Sequence, residues 1–338
     1  MAKDSIATVR KDEKFEGWLL VRAAEQRSAS NGKLYLDMTL GDRTGVINAK
    51  MWDGTVTPPA AGSIVQVRGT GNEFLGRMQL RVERLHLAAP EEVPDMGDLV
   101  PCAPLPAGGM LDEIRQTVDA MADTDLALLV STLLDRAGER LLTFPAAKQM
   151  HHAQRSGLLY HVLTMLRAAK ALLPVYPYLN ADLLYAGVIV HDLAKLRELD
   201  ADTMGVVQDY TVDGKLLGHL VRGVVDIEEA GAACGASAAT ILLLQHMVLS
   251  HHGKAEYGSP VPPRFPEAEV LHTLDTLDSR LFEMQEALQR TLEGGFSEKV
   301  WAMENRQLYR VPGSNVGLEE DAEENTQPES SSASPADH

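Results

Sequence analysis

Scarcity of cysteine and of long apolar runs sets the first limits on this 338-residue sequence. Its two cysteines, Cys102 and Cys234, are far apart and form no Cys-x-x-Cys pair, which argues against disulfides or a zinc knuckle. The longest apolar run, LLYAGVIV, is far shorter than the roughly 20 residues of a membrane helix. The opening residues, MAKDSIATVRKDEKFEG, contain no apolar stretch typical of a signal peptide. We therefore expect a cytoplasmic protein with no membrane partner.

Positive charge is also scarce, and its distribution is uneven. The net charge of −17 by itself argues against nucleic-acid binding. However, residues 1–90 carry a net charge of +3, whereas residues 91–338 carry −20. The last 22 residues contribute −7 and lack apolar content, so we expect 313–338 to form a disordered acidic tail. A mildly basic N-terminal unit thus precedes an acidic body, which suits a divalent metal.

The first 90 residues show the alternation and turn signals of a small β-domain. Turn sequences such as SNG, GDRTG, GTVTPPAAG and FLG separate five strand-like segments. These segments are FEGWLLVRAAEQRSA, KLYLDMTLGD, GVINAKMW, SIVQVRGTGNEF and GRMQLRVERLHL. Five short strands in this length favour a closed barrel of the OB type. A small meander or sandwich is the alternative.

The remainder of the chain changes character after a short linker. Residues 91–110 are rich in proline and glycine and predict that linker. From residue 111 onward the apolar spacing is helical, and no strand run is convincing. The candidate helices span 111–122, 125–137, 145–153, 157–173, 180–193, 215–231, 237–251 and 266–292. We therefore expect a multidomain protein in which a barrel over 1–90 precedes an all-α bundle over 111–312.

Histidines and aspartates lie near the ends of apolar segments throughout the helical half. The clearest case is LLYAGVIV, which ends in His191 and Asp192. Alone, this pair is more typical of a helix end at the surface. The same pattern recurs at further positions, namely His161, His219, His251, His252 and Asp275. Charged groups are rarely buried unless they are paired or bind metal. The set therefore indicates a shared divalent-metal site.

The order of these residues resembles the HD-domain metal-dependent phosphohydrolases. The local sequences HDLAK, GHL, LSHHG and TLDTLD carry the resemblance across about 160–280. It implies an all-helical domain in which four residues bind one metal: His161, His191, Asp192 and Asp275. It further implies that Asp192 bridges to a second metal held by His219 and His251, with His252 a less certain ligand. Asp278 is the alternative to Asp275.

Several neighbouring residues each allow two interpretations of their role. Lys195 follows Asp192 by one helical turn and acts either on a substrate phosphate or as the charge partner of Asp192; a surface ion pair is the alternative. His246 is about 140° around a helix from His251 and favours a structural role. His151 and His152 contact substrate or simply end a helix. Arg264 is more typical of a solvated loop than of a phosphate contact.

The combination of barrel and helical domain resembles the YhaM-type 3′→5′ exoribonucleases over about residues 10–310. The segments NGKLYLDMTLGDRTG, NAKMWD, HMVLSHHGKAEYGSP and EAEVLHTLDTLDSR carry this resemblance. It implies hydrolysis of single-stranded RNA from the 3′ end by metal-activated water, with release of nucleoside 5′-monophosphates. It implies two divalent ions, with Mn²⁺ expected first and Mg²⁺, Co²⁺, Fe²⁺ or Zn²⁺ as alternatives.

The barrel is then the expected RNA-binding unit, with single-stranded DNA as an alternative ligand. Single-strand binders stack bases on aromatic side chains and place basic groups along the phosphates. Among Trp18, Tyr35, Trp52 and Phe74 we expect one or two exposed rings, and choose Tyr35 and Phe74 because they lie beside turns. Basic candidates include Lys33 and Arg77.

Two other functions remain open from the sequence. One is hydrolysis of small or cyclic nucleotides, although HHGKAEYGSP lacks the Gly-Tyr-Pro signature of HD-type cyclic-di-GMP phosphodiesterases. The other is a non-catalytic nucleic-acid-binding adaptor, which the full set of ligand residues disfavours. The oligomeric state also stays open, since apolar helices allow packing between subunits of a homo-oligomer.

Overall fold

A closed five-stranded barrel forms the N-terminal part of the computed structural model, which describes residues 4–30, 32–53, 55–74, 76–89, 92–93, 95–148 and 152–317. The strands are β1 (Lys14–Ser28), β2 (Leu34–Asp42), β3 (Gly45–Met51), β4 (Ile64–Phe74) and β5 (Arg77–Ala88). Their order around the barrel is β1-β2-β3-β5-β4, and β4 pairs with β1 to close it. β3 and β5 run parallel, whereas the other neighbours are antiparallel. This confirms the OB-type barrel and excludes a simple meander.

Alternating apolar residues explain how the barrel fills its interior. In β2, Leu36, Met38 and Leu40 are buried, while the residues between them are half-buried. Successive side chains of a strand point to opposite faces, so one face of each strand supplies the core. β1 changes register between Val21 and Ala23, which lets one long strand pair with both β4 and β2.

The rest of the described chain is mainly helical and carries its own apolar core. Its helices are α1 (Ala107–Asp119), α2 (Thr124–Ala137), α3 (Gly157–Leu172), α4 (Ala181–Val190), α5 (Lys195–Glu198), α6 (Val212–Leu216), α7 (Gly218–Cys234), α8 (Ala238–Ser250) and α9 (Pro266–Gln289). α4 lies at the centre of this core, with Leu184, Ala186, Val188 and Ile189 all fully buried.

Two predicted helices differ from the structure. The described residues of 145–153 are not helical, because the chain turns there through left-handed backbone at His152 and Ser156. The predicted helix 215–231 is divided into α6 and α7 at Gly218, whose φ of 70° interrupts a right-handed helix. Apolar spacing alone does not reveal either turn.

A short hairpin also corrects the expectation of a helical half without strands. β6 (Leu199–Ala201) pairs antiparallel with β7 (Val207–Tyr210). The Asp202 carboxylate accepts hydrogen bonds from the backbone N–H groups of Met204 and Val206 and so stabilises the connecting turn. Strands of three and four residues are too short for alternation to be recognised in sequence.

The hairpin and the predicted linker together join the barrel to the helices. An interdomain cluster of buried residues includes Leu20 and Ile64 from the barrel and Met204 from the hairpin. Val93, Leu99 and Val100 complete it from within 91–110. The segment expected to be a linker is therefore partly buried between the two units, and its end from Ala107 is already helical. A proline- and glycine-rich composition does not by itself distinguish a packed connection from a free one.

The predicted tail lies largely beyond the described residues. Residues 318–338 are outside them, so a disordered acidic tail stays a prediction for that stretch. Residues 313–317 are described, and the Gly317 carbonyl accepts a hydrogen bond from Gln285 Nε2 at 2.8 Å. Among the described helices, none has the length and apolar character needed to cross a membrane.

The interdomain cluster gives a first testable expectation. Met204 is 2% exposed, so Met204→Ala leaves a cavity between the hairpin and the barrel. We expect a loss of about 2–5 kcal/mol in the free energy of unfolding, measured by urea denaturation followed by circular dichroism. Leu216→Ala, at a residue 76% exposed, is the control and should change little. Equal midpoints for the two variants would contradict this packing role.

Candidate metal centre

The histidines and aspartates singled out in the sequence converge inside the helical domain. α3 carries His161 in its second turn, and α9 carries Asp275. α4 and α8 end at residues that lead directly into His191 and His251, and α7 begins beside His219. The apolar faces of these helices pack into one core, so their polar ends meet at one place. His161, His191 and His251 have no solvent exposure, and Asp192 has 2%.

One set of ligand atoms forms what we call the first group: His161, His191, Asp192 and Asp275. His161 Nε2 lies 3.3 Å from His191 Nε2 and 3.4 Å from Asp275 Oδ1. Asp192 Oδ2 lies 3.4 Å from His191 Nε2 and 3.8 Å from His161 Nε2. Two imidazoles and two carboxylates around one point form a donor set that divalent metals favour.

The other oxygen of Asp192 faces the second group, which we define as Asp192, His219, His251 and His252. Asp192 Oδ1 lies 3.6 Å from His219 Nε2 and 3.7 Å from His251 Nε2. Ligand atoms of the three histidines all lie within 4.8 Å of one another. The two groups therefore share Asp192, one carboxylate oxygen facing each.

Hydrogen bonds fix the orientation of all five imidazoles. In each ring Nδ1 donates to an oxygen, which leaves Nε2 as the nitrogen available to a metal. His191, His251 and His252 donate to backbone carbonyls, of Val188, Val248 and Tyr257 respectively. His161 and His219 donate instead to carboxylates, of Asp278 and Glu198. Nδ1 therefore carries a proton in all five rings, and the Nε2 atoms of His161, His191, His219 and His251 each lie within 3.8 Å of an Asp192 oxygen.

Three atoms of the site are buried without a hydrogen-bond partner among the described residues: Asp192 Oδ1, His219 Nε2 and His251 Nε2. A buried polar atom without a hydrogen-bond partner destabilises the folded protein unless another group satisfies it. All three belong to the second group and lie around one point, and all three are electron-pair donors. A cation satisfies such a set, so the residues present fit a divalent metal.

The electrostatics of the site favour positive charge at its centre. Burial would raise the pKa of Asp192, but Lys195 and His191 hold it well below its usual range. Burial opposes charge on His161, yet its hydrogen bonds with Asp275 and Asp278 raise its pKa to about 10. Burial lowers the pKa of His251 well below its usual value and keeps that ring neutral. The ionised carboxylates and the neutral His251 ring are in the protonation states that bind metal, whereas metal binding at His161 requires loss of its Nε2 proton.

Lys195 contacts the shared aspartate directly. Its Nζ lies 2.6 Å from Asp192 Oδ2, and its side chain is 12% exposed, so the pair is not a surface ion pair. Burial would lower the pKa of Lys195, but the charge of Asp192 raises it overall. The geometry favours the reading in which Lys195 is the charge partner of Asp192.

The alternative ligand Asp278 occupies a different position from Asp275. Its Oδ2 accepts hydrogen bonds from His161 Nδ1 and His152 Nε2, both at 2.8 Å. It therefore contacts the opposite side of the His161 ring from Nε2, which lies near Asp275. His152 is 1% exposed and lies in a turn, not at the end of a helix. His151 lies outside the described residues.

Four further residues lie near the site: His246 and Arg264, which the sequence favoured as structural or solvated, and Glu198 and His272, which the sequence did not single out. His246 Nε2 accepts the backbone N–H of Arg264 at 3.0 Å, and the Arg264 side chain is exposed. Glu198 and His272 were missed: Glu198 orients His219, and His272 Nδ1 donates to the His251 carbonyl at 2.8 Å. Neither has a motif of its own, since their partners are distant in sequence.

A second, separate feature lies on the barrel. The Tyr35 and Trp52 rings are 4.8 Å apart, and Lys50 Nζ lies 5.6 Å from the Tyr35 ring and 5.7 Å from the Phe74 ring. We call Tyr35, Lys50, Trp52, Phe74 and Arg77 the barrel face; Arg77 pairs with Phe74 across β4 and β5.

The solvent exposure of the aromatic side chains on the barrel differs in part from the prediction. Phe74 and Trp52 are 55% and 44% exposed, whereas Tyr35 is half-buried. Two of the four aromatic candidates are thus exposed, but Trp52 replaces Tyr35 as the second. Trp18 packs against the interdomain cluster instead. Lys33 is exposed near the start of β2.

Comparison with known proteins places these features in a family. A family profile described as HD domain matches residues 158–280, which contain both groups, and one described as a putative helicase matches 107–176. The 3′-5′ exoribonuclease YhaM of Geobacillus sp. (strain WCH70) is 41% identical over 313 residues. That match covers 91% of this chain and 95% of that relative.

Two solved structures each match about a quarter of this chain. The second OB-fold domain of replication protein A from Methanococcus maripaludis is 18% identical, with a TM-score of 0.22, and covers 25% of this chain and 94% of its own. A replication protein A heterotrimer bound to ssDNA is 19% identical, with a TM-score of 0.20, and covers 23% and 60%. At such TM-scores the barrel assignment rests on the strand order of this chain. The near full-length match to the Geobacillus protein, with the HD profile spanning both groups, shows that the chain belongs to the family of YhaM-type 3′-5′ exoribonucleases.

Proposed function

We propose that the protein is a metal-dependent 3′→5′ exoribonuclease that hydrolyses single-stranded RNA and releases nucleoside 5′-monophosphates. One observation carries the proposal: the buried carboxylate of Asp192 lies between two groups of imidazoles whose Nε2 atoms face it. The name of the Geobacillus relative, 3′-5′ exoribonuclease, supplies the polarity and the RNA substrate. The site residues themselves support hydrolysis of a phosphate ester.

In this proposal two divalent ions occupy the two groups, with Mn²⁺ expected first. The ligands of one are His161, His191, Asp192 and Asp275; those of the other are Asp192, His219, His251 and His252. When bound, such ions lower the pKa of water and neutralise charge on a phosphate. Mg²⁺, Co²⁺, Fe²⁺ and Zn²⁺ have compatible ligand preferences and remain alternatives.

Asp192 and Lys195 form the central charged pair of the site. Asp192 faces both groups, so it fixes the spacing of their donors. Lys195 Nζ, 2.6 Å from Asp192 Oδ2, holds that oxygen in place and limits its rotation. Burial of the pair excludes water that would otherwise weaken their attraction. In this role Lys195 maintains the geometry of the shared carboxylate.

The barrel face is the proposed contact for single-stranded RNA, with single-stranded DNA as the alternative. Exposed Trp52 and Phe74 offer rings for stacking, and Lys50 and Arg77 offer positive charge beside them. Stacking on aromatic rings tolerates any base, whereas cations attract the phosphates. These features suit a unit that retains RNA of varied sequence in a cytoplasmic nuclease.

One assay tests the proposed activity against the two alternatives. Purified protein with Mn²⁺ is incubated with 5′-labelled single-stranded RNA whose 3′ end is either free or blocked. We expect a ladder of shortening products only from the free end. Hydrolysis of a cyclic dinucleotide without any RNA cleavage would instead indicate a small-nucleotide hydrolase. Binding without turnover in any divalent metal would indicate an adaptor.

Substitution of Asp192 tests the site. Asp192→Ala and the isosteric Asp192→Asn both remove the negative charge that the two groups share. Loss of a residue that only orients a metal ligand already lowers activity by about 10- to 100-fold, so we expect turnover of these variants to fall by more than about 100-fold. RNA binding, measured by fluorescence anisotropy, should persist because the barrel face is separate. Asp200→Asn, at the exposed position of β6, is the matched control. Wild-type turnover in the Asp192 variants would refute the assigned site.

The barrel face can be tested by binding alone. Trp52→Ala and Phe74→Ala each remove an exposed ring, and we expect each to cost about 1–3 kcal/mol of RNA-binding free energy. Leu87→Ala removes an exposed apolar side chain, 57% exposed on β5, without removing a ring, and should leave the affinity unchanged. Fluorescence anisotropy with an oligonucleotide measures all three. If the aromatic variants bind like Leu87→Ala, RNA binds elsewhere.

A further inference from the structure

Two carboxylates outside the ligand groups make a distinctive contact, one with each group. Asp278 Oδ2 lies 2.8 Å from His161 Nδ1, and Glu198 Oε2 lies 2.9 Å from His219 Nδ1. The other three imidazoles of the groups donate to neutral backbone carbonyls. Each group therefore contains at least one histidine whose outer nitrogen faces an anionic acceptor.

We propose that Asp278 and Glu198 are positioning residues, each setting the metal affinity of one group: Asp278 that of the first, Glu198 that of the second. This inference rests on the two-ion site proposed above. A hydrogen bond from Nδ1 fixes both the tautomer and the direction of Nε2. A carboxylate acceptor also makes the imidazole a stronger donor than a carbonyl acceptor does.

Asp278 is itself held in place by buried neighbours. The same Oδ2 that accepts from His161 accepts from His152 Nε2 at 2.8 Å. The His152 ring packs 3.9 Å from the Phe282 ring, measured between centroids, one turn beyond Asp278 on α9. A Cβ at Gly157 would lie 2.0 Å from the His152 carbonyl oxygen, so only glycine permits this close approach. A connected arrangement thus runs from His152 through Asp278 to His161.

Glu198 reaches its histidine from another element. It is the last residue of α5, and its carboxylate contacts both Nδ1 of His219 at 2.9 Å and the His219 backbone N–H at 3.3 Å. These two contacts fix the start of α7 as well as the ring. The Glu198 side chain is 13% exposed, so water competes weakly for them. A Cβ at Gly214 would lie 2.2 Å from the Glu198 carbonyl oxygen, which shows how closely the chain packs here.

Metal binding by nearly isosteric variants tests the inference. Asp278→Asn and Glu198→Gln keep size and one acceptor oxygen but remove the negative charge. Mn²⁺ binding to metal-free full-length protein is measured by calorimetry, with stoichiometry from elemental analysis. We expect two ions on the wild type. In each variant one ion should bind as in the wild type and the other about 10- to 100-fold more weakly.

Exposed carboxylates on the same elements or beside them provide matched controls. Glu269→Gln on α9 and Asp200→Asn on β6 remove the same charge at exposed positions and should bind both ions as the wild type does. A His219→Asn background assigns the sites. There, Asp278→Asn should weaken the remaining ion, whereas Glu198→Gln should have no effect. Thermal unfolding of the metal-free variants separates lost affinity from lost folding.

The outcomes distinguish this inference from the proposed function. Two ions on the wild type and unchanged affinity in both variants would overturn the positioning role while leaving the two-ion site intact. Equal weakening of both ions by either variant would also overturn it, because a general loss of structure acts on both sites. A wild type that binds fewer than two Mn²⁺ ions would overturn the two-ion proposal and this inference together.

Discussion

The carboxylate of Asp192 is the group on which the helical domain depends. It is 2% exposed, and an isolated ionised carboxylate in such a place would be very costly. Lys195 and His191 offset part of that cost, yet Oδ1 keeps no hydrogen-bond partner among the described residues. The chain therefore compensates the charge of Asp192 on one side and leaves electron-pair donors that fit a cation on the other. Replacing one partner of such a buried pair leaves the other uncompensated.

Helix packing provides the rigidity that this arrangement needs. α4 is buried on nearly all sides, so its end cannot shift without disturbing the whole core. α3, α7, α8 and α9 pack in the same domain and deliver their polar residues near the end of α4. The histidines and aspartates of the site keep a fixed geometry because the apolar helices that carry them are packed rigidly in the core. The carboxylates of Glu198 and Asp278 also fix the orientation of the His219 and His161 rings by accepting hydrogen bonds from Nδ1.

The barrel and the helical domain differ in net charge and in the kind of surface they present. The barrel belongs to the net-positive part of the chain and presents rings and cations on one face; the helical domain is acidic and encloses the buried site. The interdomain cluster holds them together through Met204 of the β6–β7 hairpin. Glu198 directly precedes that hairpin, so the same short stretch of chain contacts His219 and leads into the barrel interface.

The sequence by itself determined the barrel strands, most of the helices and the histidines and aspartates that converge at one place. Alternation in segments such as KLYLDMTLGD predicted the barrel strands, and the order of histidines and aspartates predicted the residues that converge around Asp192. Only tertiary structure separated Asp275, near His161 Nε2, from Asp278, near His161 Nδ1, because residues three apart on one helix differ in the atoms they meet across the core. It alone revealed Glu198, His272 and the buried His152, whose partners lie on other elements. It also decided that Trp52, not Tyr35, is the second exposed ring, because exposure depends on which neighbours the closed barrel brings together.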